Sequence, residues 1–160
     1  MSLLKRFGRF VSTCFGRSGA RTKRRCRKCM IINNIILDRL TAQAKASPRL
    51  RMNLDLRNGP SDQSQRMLNA IEPGSPMPIH RHKYSSETVV CLRGRLMEEF
   101  YDDLERMCTD AIELTPGGPN VAINIPACQW HTVRALESGT VLLECKDGPY
   151  EPLGEEDILR

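Results

Sequence analysis

The sequence predicts an all-β domain, an antiparallel sandwich or barrel, preceded by one amphipathic helix. Short candidate strands recur from about residue 64 onward, Gly or Pro stands in nearly every gap between them, and no long helical pattern intervenes. Short strands at regular spacing with such turns are typical of sandwiches and barrels. A chain of 160 residues has room for one ordinary domain with an appendage, but not for a second catalytic domain.

The N-terminal residues differ from the rest of the chain in charge. Residues 1–30 hold ten of the 24 Lys and Arg and no acid, so the remaining 14 bases face all 19 acids, a formal charge of −5. We predict a basic, disordered arm over residues 1–30 and an acidic domain over residues 31–160, which offers no basic surface for nucleic acid. Alternatives for the arm are a transit peptide, a segment that binds nucleic acid or anionic lipid, half of a zinc site at Cys26 and Cys29, and a gene start at Met30.

The cysteines indicate a reducing compartment. All seven are irregularly spaced, the count is odd, and no secretory apolar segment is evident, so a disulfide framework is not expected. A membrane span needs about eighteen consecutive apolar residues, and the sequence contains no apolar run of that length. We therefore expect a cytoplasmic protein, in which Cys91, Cys128 and Cys145 are small buried hydrophobes.

The first element in chain order is a helix. Apolar residues recur at helical spacing over residues 31–46, and Ser47-Pro48 ends the run. The apolar positions are Ile32, Ile35, Ile36 and Leu40. This pattern predicts an amphipathic helix that packs on the outside of the domain.

The strands follow from alternation and from turn residues. Residues 49–57 alternate polar and apolar side chains as an edge strand does, and residues 58–62 form a turn. The next candidate strands span residues 64–72, 76–82, 87–93, 95–101, 110–114, 121–126, 131–136 and 140–146. Residues 102–108 are predicted as a helical turn or a loop, and residues 115–120 as a loop.

Three histidines and one glutamate lie at predicted strand ends or beside turns. His80 and His82 are one residue apart, so the period of two along a strand points both from one face. Glu87 opens the next strand, and His131 begins a later one. Three imidazoles and a carboxylate suit one divalent transition metal, such as Zn, Fe, Mn or Ni, better than Mg or Ca. An octahedral ion would keep two positions for water, dioxygen or a chelating substrate.

The spacing of these residues resembles the first sequence motif of the cupin superfamily. Gly74, His80, His82, Glu87 and Gly94 stand at the positions of that motif without a gap. The resemblance implies a jelly-roll fold in which the histidines and the glutamate of the motif bind a metal.

The second cupin motif is matched in part. Pro126 and His131 stand at its proline and histidine, which implies that His131 is the fourth metal ligand. Three positions depart from the motif: Asn120 replaces its leading glycine, Cys128 its turn glycine, and Ala135 its asparagine. The departures put the geometry of the turn in doubt more than the ligand.

A closer resemblance links residues 35–157 to the WbuC-type cupin-fold metalloproteins of O-antigen and surface-polysaccharide gene clusters. It rests on the segments 49–54, 64–70, 80–87, 129–133 and 144–150. The resemblance implies the ligand set His80, His82, Glu87 and His131, and a role with sugar-derived small molecules. The catalytic residues are not identified by it.

Further residues are candidates for the walls of the site. By alternation with Glu87, Cys91 points inward and either lines the pocket or is an inert buried thiol. Gln65, Met67 and Asn69 share one face of their strand, which is either inside the barrel or exposed. Candidate acid/base groups are Glu98, Glu99, Tyr101 and Glu144, each of which could also lie on a solvated face. Trp130 could stack on a sugar ring or close a barrel end.

Two classes of function remain open from the sequence. The first is a metal-dependent enzyme, with the ion as Lewis acid in isomerisation or epimerisation of a sugar or sugar nucleotide, or an Fe-dependent oxygenase. The second is a non-catalytic module that binds a small ligand through the ion. A buried proton-transfer group beside the ion would favour the enzyme. We expect a homodimer by analogy with other jelly rolls.

Overall fold

The computed structural model describes residues 29–102 and 107–159. The described residues from Ile32 onward belong to one compact unit. The elements are α1 (Asn34–Ala46), β1 (Arg51–Asp55), β2 (Ser64–Ile71), β3 (Ile79–His80), β4 (Glu87–Arg93), β5 (Leu96–Tyr101), β6 (Cys108–Leu114), β7 (Ala122–Ile125), β8 (Trp130–Ala135), β9 (Thr140–Asp147), a 3-10 turn (Glu155–Asp157) and β10 (Ile158–Leu159). The predicted arm falls almost wholly outside the described residues, as do residues 103–106 of the predicted loop. Among the described helices, none is long and apolar enough to cross a membrane.

The fold is an all-β jelly roll with an N-terminal helix, which confirms the predicted fold class. One antiparallel sheet has the strand order β1-β2-β9-β4-β7, and the second has the order β10-β3-β8-β5-β6. Several of the paired strands are far apart in sequence, as where β2 lies beside β9 over its whole length. Every such pairing therefore brings early and late segments of the chain to one place.

The helix packs on the outer face of the first sheet. Its N-cap is Asn33, whose side chain accepts a hydrogen bond from the Ile36 amide at 3.2 Å, and it ends at Ala46, with Ser47 as the C-cap before Pro48. The buried stripe of the helix consists of Leu37, Leu40, Thr41 and Ala44. The predicted stripe was therefore wrong in part: Ile35 is 68% exposed, because it lies about 200° around the helix from Leu37.

Two apolar clusters occupy the two faces of the first sheet. Leu68, Ala70 and Val141 are fully buried and pack beneath α1. Val89 and Leu142 point the other way and pack between the sheets with residues of β5, β6 and β8. The alternation of side chains along each strand thus gives the sheet an outer core under the helix and an inner core that borders a cavity.

The third strand is shorter than predicted. We predicted a strand over residues 76–82, whereas β3 contains two residues, and His82 lies in the loop that follows. Proline provides no amide hydrogen for a strand ladder, and Pro76 and Pro78 precede β3. The partner of β3 on its outer side is β10, which was not predicted because two residues show no measurable alternation.

The turn between β4 and β5 yields a stability prediction. Gly94 has φ of 75°, and a Cβ added there would lie 2.8 Å from Thr140 Cα and also contact the Thr140 hydroxyl. We expect Gly94→Ala to lower the free energy of unfolding by about 2–4 kcal/mol, since left-handed strain and steric overlap add. Chemical denaturation measures it.

Gly139→Ala is the matched control for this substitution. Gly139 has φ of 83°, but nothing lies within 4 Å of an added Cβ. This variant should lose only about 1 kcal/mol from backbone strain. Equal losses in the two variants would contradict the steric explanation.

Candidate metal centre

The three histidines and the glutamate converge between the two sheets. His80 ends β3 and pairs with His131 at the start of β8, whereas Glu87 is the first residue of β4 in the other sheet. His82 reaches the same point from the loop after β3. One ligand atom from each of the four residues lies within 4.8 Å of the others. These residues could hold a single metal ion.

The loop that carries His82 is held by the turn around Cys128. The Cys128 amide donates a hydrogen bond to the His82 carbonyl at 2.8 Å, and the Cys128 thiol donates to the carbonyl of Lys83 at 3.4 Å. Cys128 has φ of 69°, so it takes the left-handed conformation that glycine would adopt more readily. The prediction that Cys128 is buried was wrong, because its side chain lies exposed on this turn.

Two of the histidines are oriented by backbone carbonyl groups. His80 Nδ1 lies 3.2 Å from the Pro78 carbonyl oxygen, and His131 Nδ1 lies 2.9 Å from that of Gln129. A carbonyl only accepts hydrogen bonds, so each Nδ1 carries the hydrogen and each Nε2 keeps a lone pair. This is the arrangement that second-sphere partners impose on metal-binding imidazoles.

The same histidines are held in the neutral form. Burial, and then the neighbouring His131, lowers the pKa of His80 to about 4. Burial also lowers the pKa of His131. A metal ion competes with protons for imidazole, so neutral rings at neutral pH favour coordination.

Two buried atoms of the cluster have no hydrogen-bond partner among the described residues. Glu87 Oε2 lies 3.0 Å from His82 Nε2 and 3.9 Å from His131 Nε2. Neither contact has the geometry of a hydrogen bond, so Glu87 Oε2 and His131 Nε2 are both unpaired within the described residues. Burial alone would raise the pKa of Glu87, but the nearby His82 and His131 hold it below its usual range. Buried unpaired polar atoms are costly, and a cation at their centre would satisfy both. The donor set therefore fits an ion.

Lys146 is a charged neighbour that the sequence analysis missed. Its Nζ lies 3.0 Å from His82 Nε2, 3.7 Å from Glu144 Oε1 and 4.0 Å from Glu87 Oε2. Glu87 faces Lys146 directly across the β4–β9 ladder. Side chains alternate along β9, so Lys146 points inward like Glu144, two residues before it. The period of the strand therefore indicated from the sequence that Lys146 is on the same face as Glu144.

A cavity of about 220 Å³ opens beside the cluster on the inner side of the first sheet. His80, Glu87 and His131 form part of its wall. The residues that complete the wall nearest the chemistry are Met67, Asn69, Val89, Glu98, Val133 and Glu144. Met67 and Asn69 thus lie inside the barrel, the first of the two alternatives for that strand face.

Glu98 is the least compensated acid of the cavity wall. It is 1% exposed, and neither carboxylate oxygen has a hydrogen-bond partner within the described part of the chain. Burial, and then the charges of Glu87 and Glu144, raises the pKa of Glu98 well above its usual range. The side chain therefore holds a proton more readily than an ordinary glutamate, and its protonated form offers a hydroxyl to a molecule in the cavity.

Glu144 lies in a different environment on the same wall. Asn69 Nδ2 donates a hydrogen bond to its Oε2 at 2.9 Å, and Lys146 lies beside the other oxygen. Burial, and then Glu87, raises the pKa of Glu144 to about 7. Glu98 and Glu144 thus lie in different electrostatic surroundings although they border one cavity, because only Glu144 has an amide and an ammonium beside it.

The other candidate acid/base groups lie outside the cavity. Glu99 accepts a hydrogen bond from Arg134 at 2.8 Å on the outer face of β5, and the Tyr101 hydroxyl donates to Glu99 at 3.1 Å. Cys91 is 3% exposed, packs in the inner core and does not line the cavity. Burial raises the pKa of its thiol to about 11, so Cys91 is an inert thiol.

Trp130 does not line the cavity either. The indole is 6% exposed, and the guanidinium carbon of Arg81 lies 4.5 Å from its ring centroid. The interpretation of Trp130 as a stacking surface for a sugar therefore has no support from its position.

The comparison of the sequence with protein families identifies the family. A model described as a domain of unknown function, DUF6016, matches residues 32–113. The chain belongs to this family. The matched part of the DUF6016 domain includes His80, His82 and Glu87, whereas His131 lies beyond it. No curated protein matches the sequence.

Solved structures similar to this DUF6016 chain have the same fold. BH2720 from Bacillus halodurans is 22% identical, with a TM-score of 0.52 over 81% of this chain and 89% of its own. KdgF from Halomonas sp. is 15% identical, with a TM-score of 0.51 over 66% of this chain and 84% of its own. The structural neighbours include cupin-fold proteins, KdgF among them. At these identities the similarity establishes the cupin fold.

Proposed function

We propose that the protein is a metal-dependent cupin enzyme that transfers a proton within a small sugar-derived substrate. His80, His82, Glu87 and His131 are the proposed ligands of one divalent transition ion, such as Zn, Fe, Mn or Ni. When bound, the ion supplies Lewis-acid polarisation of a substrate oxygen. Support for the ligand set comes from the unpaired Glu87 Oε2 and His131 Nε2 and from the two oriented imidazoles.

The observation that carries the proposal is the buried carboxylic acid of Glu98 on the wall of the same cavity. Neither oxygen of this carboxyl group has a hydrogen-bond partner among the described residues, so both are available to a substrate in the cavity. Carboxyl groups in different environments commonly divide the roles of acid and base. In the proposed reaction Glu98, whose burial favours its protonated form, donates a proton to a substrate oxygen, and Glu144, with a pKa of about 7, accepts one from carbon.

The volume of the cavity restricts the substrate. Ligand pockets commonly measure about 300–1,000 Å³, and the present cavity of about 220 Å³ is smaller. It suits one monosaccharide-sized group, so a sugar nucleotide would keep its nucleoside outside. The resemblance to WbuC-type proteins supports a substrate from surface-polysaccharide (O-antigen) biosynthesis.

Hydrogen exchange tests the proposed reaction. Protein loaded in turn with Zn, Mn, Fe or Ni is incubated in deuterated water with a panel of ketoses and aldoses. The panel contains the neutral sugars, their phosphates and the corresponding sugar acids. Proton NMR follows the loss of the hydrogen on the carbon next to the carbonyl. We expect exchange that requires metal with at least one member of the panel.

The alternatives give different results in the same experiment. A non-catalytic module would bind a sugar with every ion and exchange no hydrogen. An Fe-dependent oxygenase would consume dioxygen in the iron-loaded sample only. Either result would refute the proton-transfer function and leave the ligand set to be judged by metal content.

A further inference from the structure

Two arginines line the same cavity as the ligand cluster. Arg49 is exposed and Arg51 is half-buried, and both contribute to the wall of which His80 and Glu87 form another part. Arg49 therefore lies where the cavity meets solvent. A molecule that fills the cavity would lie beside both arginines and beside His80, Glu87 and His131.

Neither cavity arginine has a carboxylate partner among the residues that the structure describes. Most other described arginines do, at 2.6–3.2 Å from Asp or Glu: Arg57, Arg66, Arg81, Arg93, Arg95 and Arg134. The contrast is informative because acids outnumber bases in the domain. An acidic domain that pairs its surface arginines leaves two positive groups uncompensated at this cavity.

The positive charges of the two arginines act on each other. Burial, and then the charge of Arg49, lowers the pKa of Arg51. Two guanidinium groups that repel each other beside a cavity lower their energy when an anion lies between or against them. An anionic group of a ligand would provide that compensation.

The backbone around Arg51 fixes its position. Arg51 Nη1 donates to the Pro76 carbonyl at 2.5 Å and lies 3.4 Å from Ser75 Oγ. The Ser75 hydroxyl in turn donates to the Arg49 carbonyl at 2.9 Å. These contacts occupy one nitrogen of the Arg51 fork, so its other N–H groups stay available in a braced side chain.

We propose that Arg49 and Arg51 bind an anionic group of the substrate, a carboxylate or a phosphate, while its carbonyl or hydroxyl oxygens face the ligand cluster. The inference rests on the proposed function for the placement of the metal. Guanidinium groups match both anions because their N–H donors form paired, charge-assisted hydrogen bonds. The substrate class is then a sugar acid, a sugar phosphate or the sugar-diphosphate part of a nucleotide sugar.

Matched sugars test the inference. The metal-loaded protein is titrated with glucose against glucuronate, and with fructose against fructose 6-phosphate, by NMR or calorimetry. We expect at least one anionic sugar to bind about tenfold or more tightly than its neutral counterpart, since hydrogen bonds to charged groups are the strong ones. The two pairs distinguish a carboxylate site from a phosphate site.

Variants assign the preference to the arginines. The double variant Arg49→Gln, Arg51→Gln should bind neutral and anionic sugars equally, with metal content and circular dichroism unchanged. Arg57→Gln is the control, because Arg57 pairs with Asp55 and does not line the cavity. Equal binding of both sugars by the wild type, no measurable binding of either anion, or a preference that survives in the double variant would overturn the inference.

Metal analysis of the same samples separates this inference from the proposed function. An anion preference that depends on the arginines in protein without bound metal would support the inference and refute the metal site. Bound metal without an anion preference would support the metal site and refute the inference about the arginines.

Discussion

Removal of one ligand side chain is expected to abolish metal retention. Wild-type protein, purified without chelator, should contain about one transition metal per chain by its ligand count, whereas His80→Ala, His131→Ala and Glu87→Gln should contain almost none. Loss of even a second-sphere partner typically costs about 10–100-fold in metal affinity, and loss of a ligand costs more. Elemental analysis of gel-filtered protein measures the content.

Glu72→Gln is the matched control for Glu87→Gln. Glu72 is also a buried carboxylate, at 7% exposure, but its oxygens accept hydrogen bonds from Ser138 Oγ and the Gly139 amide away from the cluster. We expect this variant to keep its metal, whereas its free energy of unfolding should fall because the hydrogen bonds from Ser138 and Gly139 are weakened. Full metal occupancy in a His80→Ala, His82→Ala double variant would refute the ligand assignment.

Substitution of Glu98 by Gln is expected to remove most of the hydrogen exchange. A positioned general acid contributes about 10²–10⁴-fold to a rate, and Gln has nearly the same shape but no transferable proton. Metal content should be unchanged. Glu99→Gln, the neighbouring residue on the outer face of β5, should exchange at the wild-type rate. An unchanged rate in Glu98→Gln would assign the proton transfer to another group.

The same variant should change how stability depends on pH. The pKa of Glu98 is raised in the folded state, so its contribution to stability is fully present below the unfolded carboxyl pKa of about 4.3 and is lost as pH rises. Glu144 adds a similar loss up to a pH near its pKa of about 7. In chemical denaturation, Glu98→Gln should therefore be more stable than wild type at pH 8 and similar to it at pH 4. A parallel shift at both pH values would contradict the protonated form of Glu98.

The convergence of His80, His82, Glu87 and His131 was largely predictable because histidines are rare in the chain and the spacing of the first three residues is short. The chain has three histidines, and His80, His82 and Glu87 fall around one turn. The strand argument for His82 was nevertheless wrong in its detail, since β3 ends at His80 and the contact with Cys128 fixes His82 instead. A hydrogen bond between residues 46 positions apart leaves no periodic signal in a sequence.

The cavity wall could be predicted only in part. Alternation placed Met67 and Asn69 on one face of their strand. Glu98 and Glu99 are adjacent in a strand whose polar and apolar residues do not alternate clearly, so the sequence alone could not decide which of the two acids is buried. The pairing of β5 with β8 decides it, because Glu98 lies opposite Val133 on the cavity side. The proposed role of Arg49 and Arg51 likewise depends on the absence of carboxylate partners within the described part of the chain, which a sequence does not display. The homodimer and the cytoplasmic location stay predictions.

The pairing of β10 with β3 affects the order in which the site can form during synthesis. Ile158 lies opposite His80, the Asp157 carbonyl accepts a hydrogen bond from the Arg81 amide at 3.1 Å, and Lys83 contacts Asp157 at 3.2 Å. A nascent chain that stops before residue 155 would contain all four proposed ligands but lack the strand that braces the first of them. We therefore expect metal to be captured tightly only after these late residues have left the ribosome, so that the ion reports on a completed fold.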